Sequence, residues 1–496
     1  LHPTDDEGWR IAIDGLPELT EVGAKRGHTL TSKQWLPPSF GSGPFPDSEN
    51  NHGVGYYTPA DYIEIVRYAK ERHIEVIPEV NFPGHARAAI AAMEARYRKY
   101  IEEGNEEEAM RYRLIDPNDQ SQYLSAQLFT DNVVCVALES AYHFYEHVVK
   151  ELITMHNLAG APLRILHTGG DEVPKGAWEQ SPLCQELLQR KPEIGATENL
   201  QVYFVERLLG VLDKYNIRLA GWEEVAQMMD GNGKKIPNPS FSEHKAIPYV
   251  WDNTYGNIDL GFRLANAGYE VIMCNVTHFY FDLAYDANPC EPGLYWAGFV
   301  NARSAYEYVP FRVVPPKPRD DFGKLINPTH DISETEVIMP NRKKNILGIQ
   351  GQLWSETIKG QELLERAMLP KIIGLAERAW GPAPYWESIA DHNERLATIN
   401  ASWDTVATRI GVRELPRLDY LFGGYAYRIA APGAVVTKGL LSANMNYPGF
   451  TIRYTTDGSE PTIESPIYTE PVGVHGPVKL RAFNALGRGG MVSEAE

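Results

Sequence analysis

Leu163-Arg164-Ile165-Leu166-His167-Thr168-Gly169-Gly170-Asp171-Glu172 decides the reading of this chain. An apolar strand ends at a histidine, two glycines follow, and then two carboxylates stand side by side. In a regular strand Asp171 and Glu172 would point to opposite faces. Gly169 and Gly170 permit a kink or bulge that turns both into one cleft. Two carboxylates held this close cannot both ionise cheaply, so one is pushed toward its neutral form. A neutral carboxyl beside an anionic one is the pairing that general acid–base chemistry needs near neutral pH. A lone Asp-Glu pair is most often a solvated turn; the histidine and paired glycines in front of it favour a working site.

Outward from this stretch, short apolar segments alternate with amphipathic ones. Strands are expected at 74–80, 163–167, 218–222, 248–251, 270–275 and 346–354, with the end of another at 1–5. Helices are expected at 58–71, 137–156 and 198–215. The first opens on Thr58-Pro59 and carries Ile63, Val66 and Tyr68 between charges. Such alternation implies a parallel sheet. The strands end in Glu79, Asp171-Glu172, Trp222-Glu223, Trp251-Asp252 and Trp354. Chemistry at many strand ends belongs to a (β/α)8 barrel, whereas an open doubly wound sheet concentrates it at one switch point. Residues 286–344, with Pro315, Pro316 and Pro318, read as a long loop after a barrel strand. Past Leu415 the texture becomes alternating, with turns at Asp457-Gly458 and Pro461, which indicates a small immunoglobulin-like β-sandwich. The expected domains are therefore 1–414 and 415–496.

A net charge of -18 argues against nucleic acid as a partner, because phosphate binding needs basic surface. No run of 18 apolar residues is present, so no membrane span is expected. Cys135, Cys184, Cys274 and Cys290 form no Cys-x-x-Cys pair, which argues against a structural zinc site. Cys274 and Cys290 are near enough in sequence to bridge across a loop. The 10 Trp and 27 Tyr supply rings suited to stacking on sugars, although ordinary cores use them too.

The motif His167-Thr168-Gly169-Gly170-Asp171-Glu172 resembles the H-x-G-G-D-E signature of glycoside hydrolase family 20, the β-N-acetylhexosaminidases and bacterial chitobiases. Five further segments resemble the family in order: Asp5-Asp6-Glu7-Gly8-Trp9-Arg10, Pro83-Gly84-His85, Gly221-Trp222-Glu223, Tyr280-Phe281-Asp282 and Leu353-Trp354-Ser355-Glu356-Thr357. The stretch 454–461 resembles the small domain that ends chitobiases. The family's first barrel strand, its helix and its sugar-binding arginine have no counterpart here, which implies that the natural protein is longer.

The resemblance implies an exo-acting, retaining enzyme that removes terminal β-linked N-acetylglucosamine, with N-acetylgalactosamine left open, from an N-acetylhexosamine-containing oligosaccharide. The substrate's own acetamido oxygen would form an oxazolinium intermediate, so no enzyme nucleophile is needed. Glu172 would be acid and then base. Asp171 would orient the acetamido N–H, and Tyr280 would donate to its carbonyl oxygen. Asp5 and His85 would tune Glu172. Trp222, Trp251 and Trp354 would box the sugar, with core packing an equal reading of any one of them. Asp282 and Glu356 would bind hydroxyls, and Trp296 would stack on a second sugar. His167 reads as a structural strand-end histidine. The family uses no metal and no cofactor, and its habit places the protein in the periplasm or outside the cell. A disaccharide-releasing relative and a non-catalytic carbohydrate-binding paralogue remain alternatives.

Overall fold

The computed structural model describes residues 1–495 except 243–244, 255 and 314–334. Pro315, Pro316 and Pro318 of the expected loop lie outside the described residues. The chain divides into two compact units, 1–273 with 333–348, and 274–332 with 349–496.

The first unit is organised by a sheet whose strands run in the order Ile165–His167, Arg218–Trp222, Ala246–Val250, Val271–Met273 and Ile346–Ile349. Its first three pairings are parallel. Leu166, Leu219, Ala220, Ile247 and Val250 are all buried, the continuous apolar signature of parallel strands covered on both faces. The expected strand at 74–80 is reduced to one parallel bridge, Glu79 with His167. Pro78 has no N–H to extend a ladder, though its carbonyl accepts from His167 N at 3.0 Å. Glu79 N donates to Leu1 O at 2.8 Å, so the chain start does sit beside this segment as a strand end.

Helices cover the sheet by single apolar stripes. Glu139–Leu158 buries Tyr142, Tyr145, Val149 and Leu152. Leu200–Asp213 buries Phe204, Leu208 and Val211. Pro59–Lys70 starts at a capping box in which Thr58 and Asp61 satisfy each other's backbone N–H. Its buried face is Tyr62, Val66 and Ala69, not the expected Ile63, Val66 and Tyr68. The stripe follows the 3.6-residue period from Tyr62, whose hydroxyl is 3.0 Å from His156 Nε2, and this leaves Tyr68 exposed.

In the second unit Tyr280 forms a parallel bridge with Gln352, followed by the helices Gly360–Met368, Lys371–Trp380 and His392–Arg409. The expected strand 346–354 is thus ordered as a strand only to Ile349 and rejoins at Gln352. The long loop is not featureless, since Asn301 caps a helix at Ala302–Glu307. The C-terminal module holds two antiparallel three-stranded sheets, Gly433–Thr437, Leu440–Asn444 and Val472–Gly473, and Thr451–Thr455, Val478–Phe483 and Gly489–Ala495. Leu441, Ile452, Val478 and Leu480 form its core. The Asp457-Gly458 turn is present, with Gly458 at φ +80.

All four cysteines are free; Cys274 is buried and Cys290 exposed. The close pair is instead Cys135 and Cys184, whose sulfurs are 3.8 Å apart. No helix among the described residues is long and apolar enough to cross a membrane.

Candidate active site

The turn after the strand Ile165–His167 is built by its glycines. Gly169 has φ +67 and Gly170 φ +91, conformations that side chains rarely adopt. Space forbids them as well: a Cβ on Gly169 would lie 1.8 Å from Asn81 Oδ1, and one on Gly170 2.6 Å from Val225 Cγ1. The carbonyl of Gly169 still accepts from Trp222 N at 2.8 Å, so the chain stays tied to the neighbouring strand while it turns. Glu172 itself has φ +50. The result is the convergence expected from the sequence. Asp171 Oδ2 and Glu172 Oε2 lie 3.5 and 3.4 Å from the same atom, His85 Nε2.

His85 joins these acids to a second pair. Its Nδ1 is 3.5 Å from Asp5 Oδ1 but 3.1 Å from Asp6 Oδ2. Asp6, not the expected Asp5, is therefore the closer partner, and it is fully buried. It also accepts from Asn132 Nδ2 at 2.9 Å and from Arg87 N at 3.1 Å. Although burial opposes charge on His85, Asp171, Asp5, Asp6 and Glu172 together raise its pKa well above the ordinary imidazole value. The imidazolium is thus the bridge between four carboxyls.

The two central acids are driven apart, as their closeness predicts. Asp171 is pushed up to about 6, chiefly by burial, with Glu79 and Glu172 adding and His85 and Asn81 opposing. Glu172 is lowered, because His85, 3.4 Å away, and the hydrogen bond from Gln127 outweigh its burial. In the free site Asp171 is the carboxyl nearer neutrality and Glu172 the firmer anion. Asn81 Nδ2 donates to Asp171 Oδ1 at 2.9 Å while its Oδ1 accepts from Gly170 N, and Gln127 Nε2 donates to Glu172 Oε2 at 2.9 Å.

Beneath the turn lies a buried anion. Burial works against charge on Glu79, but His167 and His2 hold its carboxylate down at about 2. It accepts from Trp222 Nε1 at 2.9 Å and lies 3.3 Å from His167 Nδ1. His167 packs edge-on to Trp222 and Tyr249 at 4.9 and 4.8 Å, a structural strand-end role. Trp222 is only 2% exposed, so the structure favours the core reading of this ring over a pocket wall. Trp251 is half-buried, its backbone N–H donating to Glu223 Oε2 at 3.0 Å.

In the second unit the rings gather around Tyr280. Trp296 stands edge-on at 6.1 Å and Trp354 is tilted at 6.2 Å. Tyr280 is buried, Trp354 half-buried and Trp296 exposed. Asp282 Oδ1 accepts from Trp354 N at 3.2 Å. Burial pushes the Asp282 carboxyl up to about 6 against the pull of that N–H and of Lys371. Glu356, two residues past Trp354, is exposed. Lys371, absent from the sequence-based set, is 1% exposed. Its Nζ donates to the carbonyls of Phe281 and Leu283, at 2.7 and 2.6 Å, on either side of Asp282.

Of the residues outside the expected site, Asp6 adjoins Asp5, Glu79 ends an expected strand, and Asn81 falls in the segment that ends at Pro83-Gly84-His85. Gln127 and Lys371 carry no local signal at all.

Parallel strands that end in an acid–imidazole cluster, followed by an all-β module, define an α/β protein with its charged cluster at the strand ends. Residues 1–383 match the sequence model of the glycosyl hydrolase family 20 catalytic domain. Residues 414–492 match that of the chitobiase/beta-hexosaminidase C-terminal domain. The chain belongs to glycosyl hydrolase family 20, whose catalytic domain is a (β/α)8 barrel; the described residues supply a five-stranded portion of it and the C-terminal β module. It is 35% identical to a beta-hexosaminidase of Vibrio vulnificus and 35% identical to an N,N'-diacetylchitobiase of Vibrio harveyi, in each case over 92% of this chain and 54% of the relative. A crystal structure of an exo beta-N-acetylglucosaminidase from Vibrio harveyi in complex with N-acetylglucosamine is similar to it. That match has a TM-score of 0.60 at 28% identity and covers 86% of this chain and 53% of the other. The chain spans about half the length of the curated relatives it matches.

Proposed function

We propose that this protein is an exo-acting, retaining β-N-acetylhexosaminidase that removes terminal β-linked N-acetylglucosamine by using the substrate's own amide as nucleophile. The observation that carries the reading is the convergence of Asp171 and Glu172 on one ring nitrogen of His85. Attack by the acetamido oxygen on the anomeric carbon builds positive charge on the amide. An anionic Asp171 accepts the amide N–H and stabilises that charge, and Tyr280 donates to the carbonyl oxygen.

The leaving oxygen needs a proton, and Glu172 is anionic in the free site. His85 can supply it, since the protonated Nε2 lies 3.4 Å from Glu172 Oε2. A sugar that covers Glu172 excludes water and raises the carboxyl's affinity for that proton. Glu172 passes it to the glycosidic oxygen, then accepts one from the water that opens the oxazolinium ring. Asp5 and Asp6 hold His85 in place and favour its charged form. Asp282 and Glu356 suit hydroxyl recognition, and Trp251, Trp354 and Trp296 suit stacking against sugar faces, with Trp222 as packed support.

The test compares a chromogenic β-N-acetylglucosaminide with the matching β-glucoside, which lacks the amide, on a full-length preparation. The reading expects turnover of the first with retained anomeric configuration, and turnover of the second lower by a factor on the order of 10³ or more. Comparable rates would remove the amide from the mechanism. Sugar binding without turnover of either would make the protein a binding module.

A further inference from the structure

The groups that the proposed function draws from the second unit lie largely on one segment, 280–296, and buried charges from elsewhere hold that segment in place. Past Asp282 the chain folds back on itself. Ala284 N donates to Leu294 O at 2.7 Å and Val300 N to Ala284 O at 3.1 Å. Gly293, at φ +115, comes so close that a Cβ there would sit 2.6 Å from Asp282 O. Two residues earlier is Glu291, whose side chain is 1% exposed.

Glu291 is gripped by Arg428 of the C-terminal module. Arg428 Nε meets Oε1 and Nη2 meets Oε2, each at 2.9 Å, the paired geometry that only a guanidinium offers. The same Nη2 reaches Asp286 Oδ2 at 2.6 Å. The guanidinium lies 4.5 Å over the Tyr285 ring, and Arg428's backbone N–H donates to Leu369 O at 3.0 Å. The module makes two more polar contacts of this kind. Ala426 N donates to Glu365 Oε2 at 2.6 Å, and Met491 Sδ lies 2.9 Å from Arg366 Nη2, which also reaches Glu291. An exposed ion pair would contribute little. This pair is buried on both sides, so removing one partner leaves the other charge away from water with only its secondary contact, Arg366 for Glu291 or Asp286 for Arg428.

Resting on the function proposed above, we infer that the C-terminal module is a positioning element for the sugar-contacting loop, and that Arg428 is its main positioning residue. Through Glu291 and Asp286 it fixes the backbone that presents Asp282 and Trp296. A module that served only as a separate sugar-binding appendage would have no use for a buried arginine aimed at that loop.

Two variants of the full-length protein test this. Arg428→Lys keeps the charge but loses the paired fork, and Glu291→Gln keeps the shape but loses the charge. In both, amide exchange across 283–300 is expected to quicken about tenfold or more, while strand Val478–Phe483 keeps its protection. KM for a β-linked N-acetylglucosamine disaccharide should rise about tenfold with kcat within about threefold, and a chromogenic monosaccharide glycoside should suffer less. Unchanged exchange in the loop would overturn the inference. So would equal losses on both substrates that merely follow a lower melting temperature. An inactive parent protein would sink the proposed function instead, while exchange in the loop would still report on Arg428.

Discussion

The first unit presents charge on rigid backbone, and the second presents rings on a loop braced by charge. Asp171 and Glu172 are aimed by two glycines and a strand end, with Asn81 and Gln127 as short-range guides. Trp296 and Asp282 sit on a long connection whose shape comes from Lys371 and Arg428, about 90 and 140 residues further along the chain. The difference matches the demands on each. Proton transfer and charge stabilisation fail with small misplacements, so they need a scaffold with few soft torsions. Stacking on a sugar face tolerates more, and a braced loop suffices.

If that contrast is right, damage in the first unit should fall on the chemical step. Asp171→Asn keeps the shape of the side chain and removes its charge. It should lower kcat by roughly 10²–10³, the scale for losing one electrostatic contact to a transition state. The melting temperature should hold or rise, because a carboxyl raised to about 6 by burial is penalised, not favoured, when charged in the fold. Steady-state kinetics and a thermal melt on the same preparation suffice; an unchanged kcat would remove the charge of Asp171 from the mechanism.

Damage in the second unit should fall on binding. Lys371→Met leaves the carbonyls of Phe281 and Leu283 without their donor, which costs on the order of 1–3 kcal/mol each if nothing replaces it. KM should rise about tenfold while kcat moves less. The parent protein carries its own control. Burial brings the Lys371 ammonium down to about 7, with Asp282 and Glu291 pulling it back up and Arg428 and Arg366 adding to the fall. Below pH 7 the charged amine grips both carbonyls; above it the grip weakens. KM should therefore climb as pH passes upward through 7 in the parent and stay flat in Lys371→Met. A parallel climb in both would move the effect to another group.

The same contrast explains what could be read from the sequence. The Asp171-Glu172 turn was legible because its causes are local: Gly169 and Gly170 must be glycine for reasons of φ and of space, and they stand beside the acids they aim. The parallel sheet was legible from apolar runs bounded by helical stripes. The sheet edge at 74–80 was not, because Pro78 removes a ladder donor that the apolar pattern does not register. Which of the two carboxyls is raised was not legible, because it depends on burial and on the hydrogen bond from Gln127 to Glu172, and no spacing encodes those. Asp6 was passed over for Asp5 because neighbours in sequence differ only in which one the fold buries. Trp222 ends a strand like the other two tryptophans, yet Glu79 draws its N–H inward. Lys371 and Arg428 act across the chain, so only the fold shows them.

The finest test of the charged region concerns that same Glu79. Its carboxylate is one of the charges that raise Asp171, and burial is the larger cause. If Asp171 must be anionic to hold the amide, kcat/KM falls as pH drops through about 6, where Asp171 takes up a proton. Glu79→Gln removes one negative charge and leaves an oxygen for Trp222 Nε1. Asp171 then ionises more readily, and the acid limb moves to lower pH. The shift should be less than about one unit, or about 1.4 kcal/mol, because burial persists. Stability provides an independent check of the sign. A carboxylate lowered to about 2 contributes stability that is complete above pH 4.5 and lost as pH falls toward 2. The parent should therefore lose stability across that window more steeply than Glu79→Gln. An acid limb that stays fixed while the stability slope changes would show that Glu79 is charged as described but that another group sets the limb. That result would separate the buried anion from the chemistry it underlies.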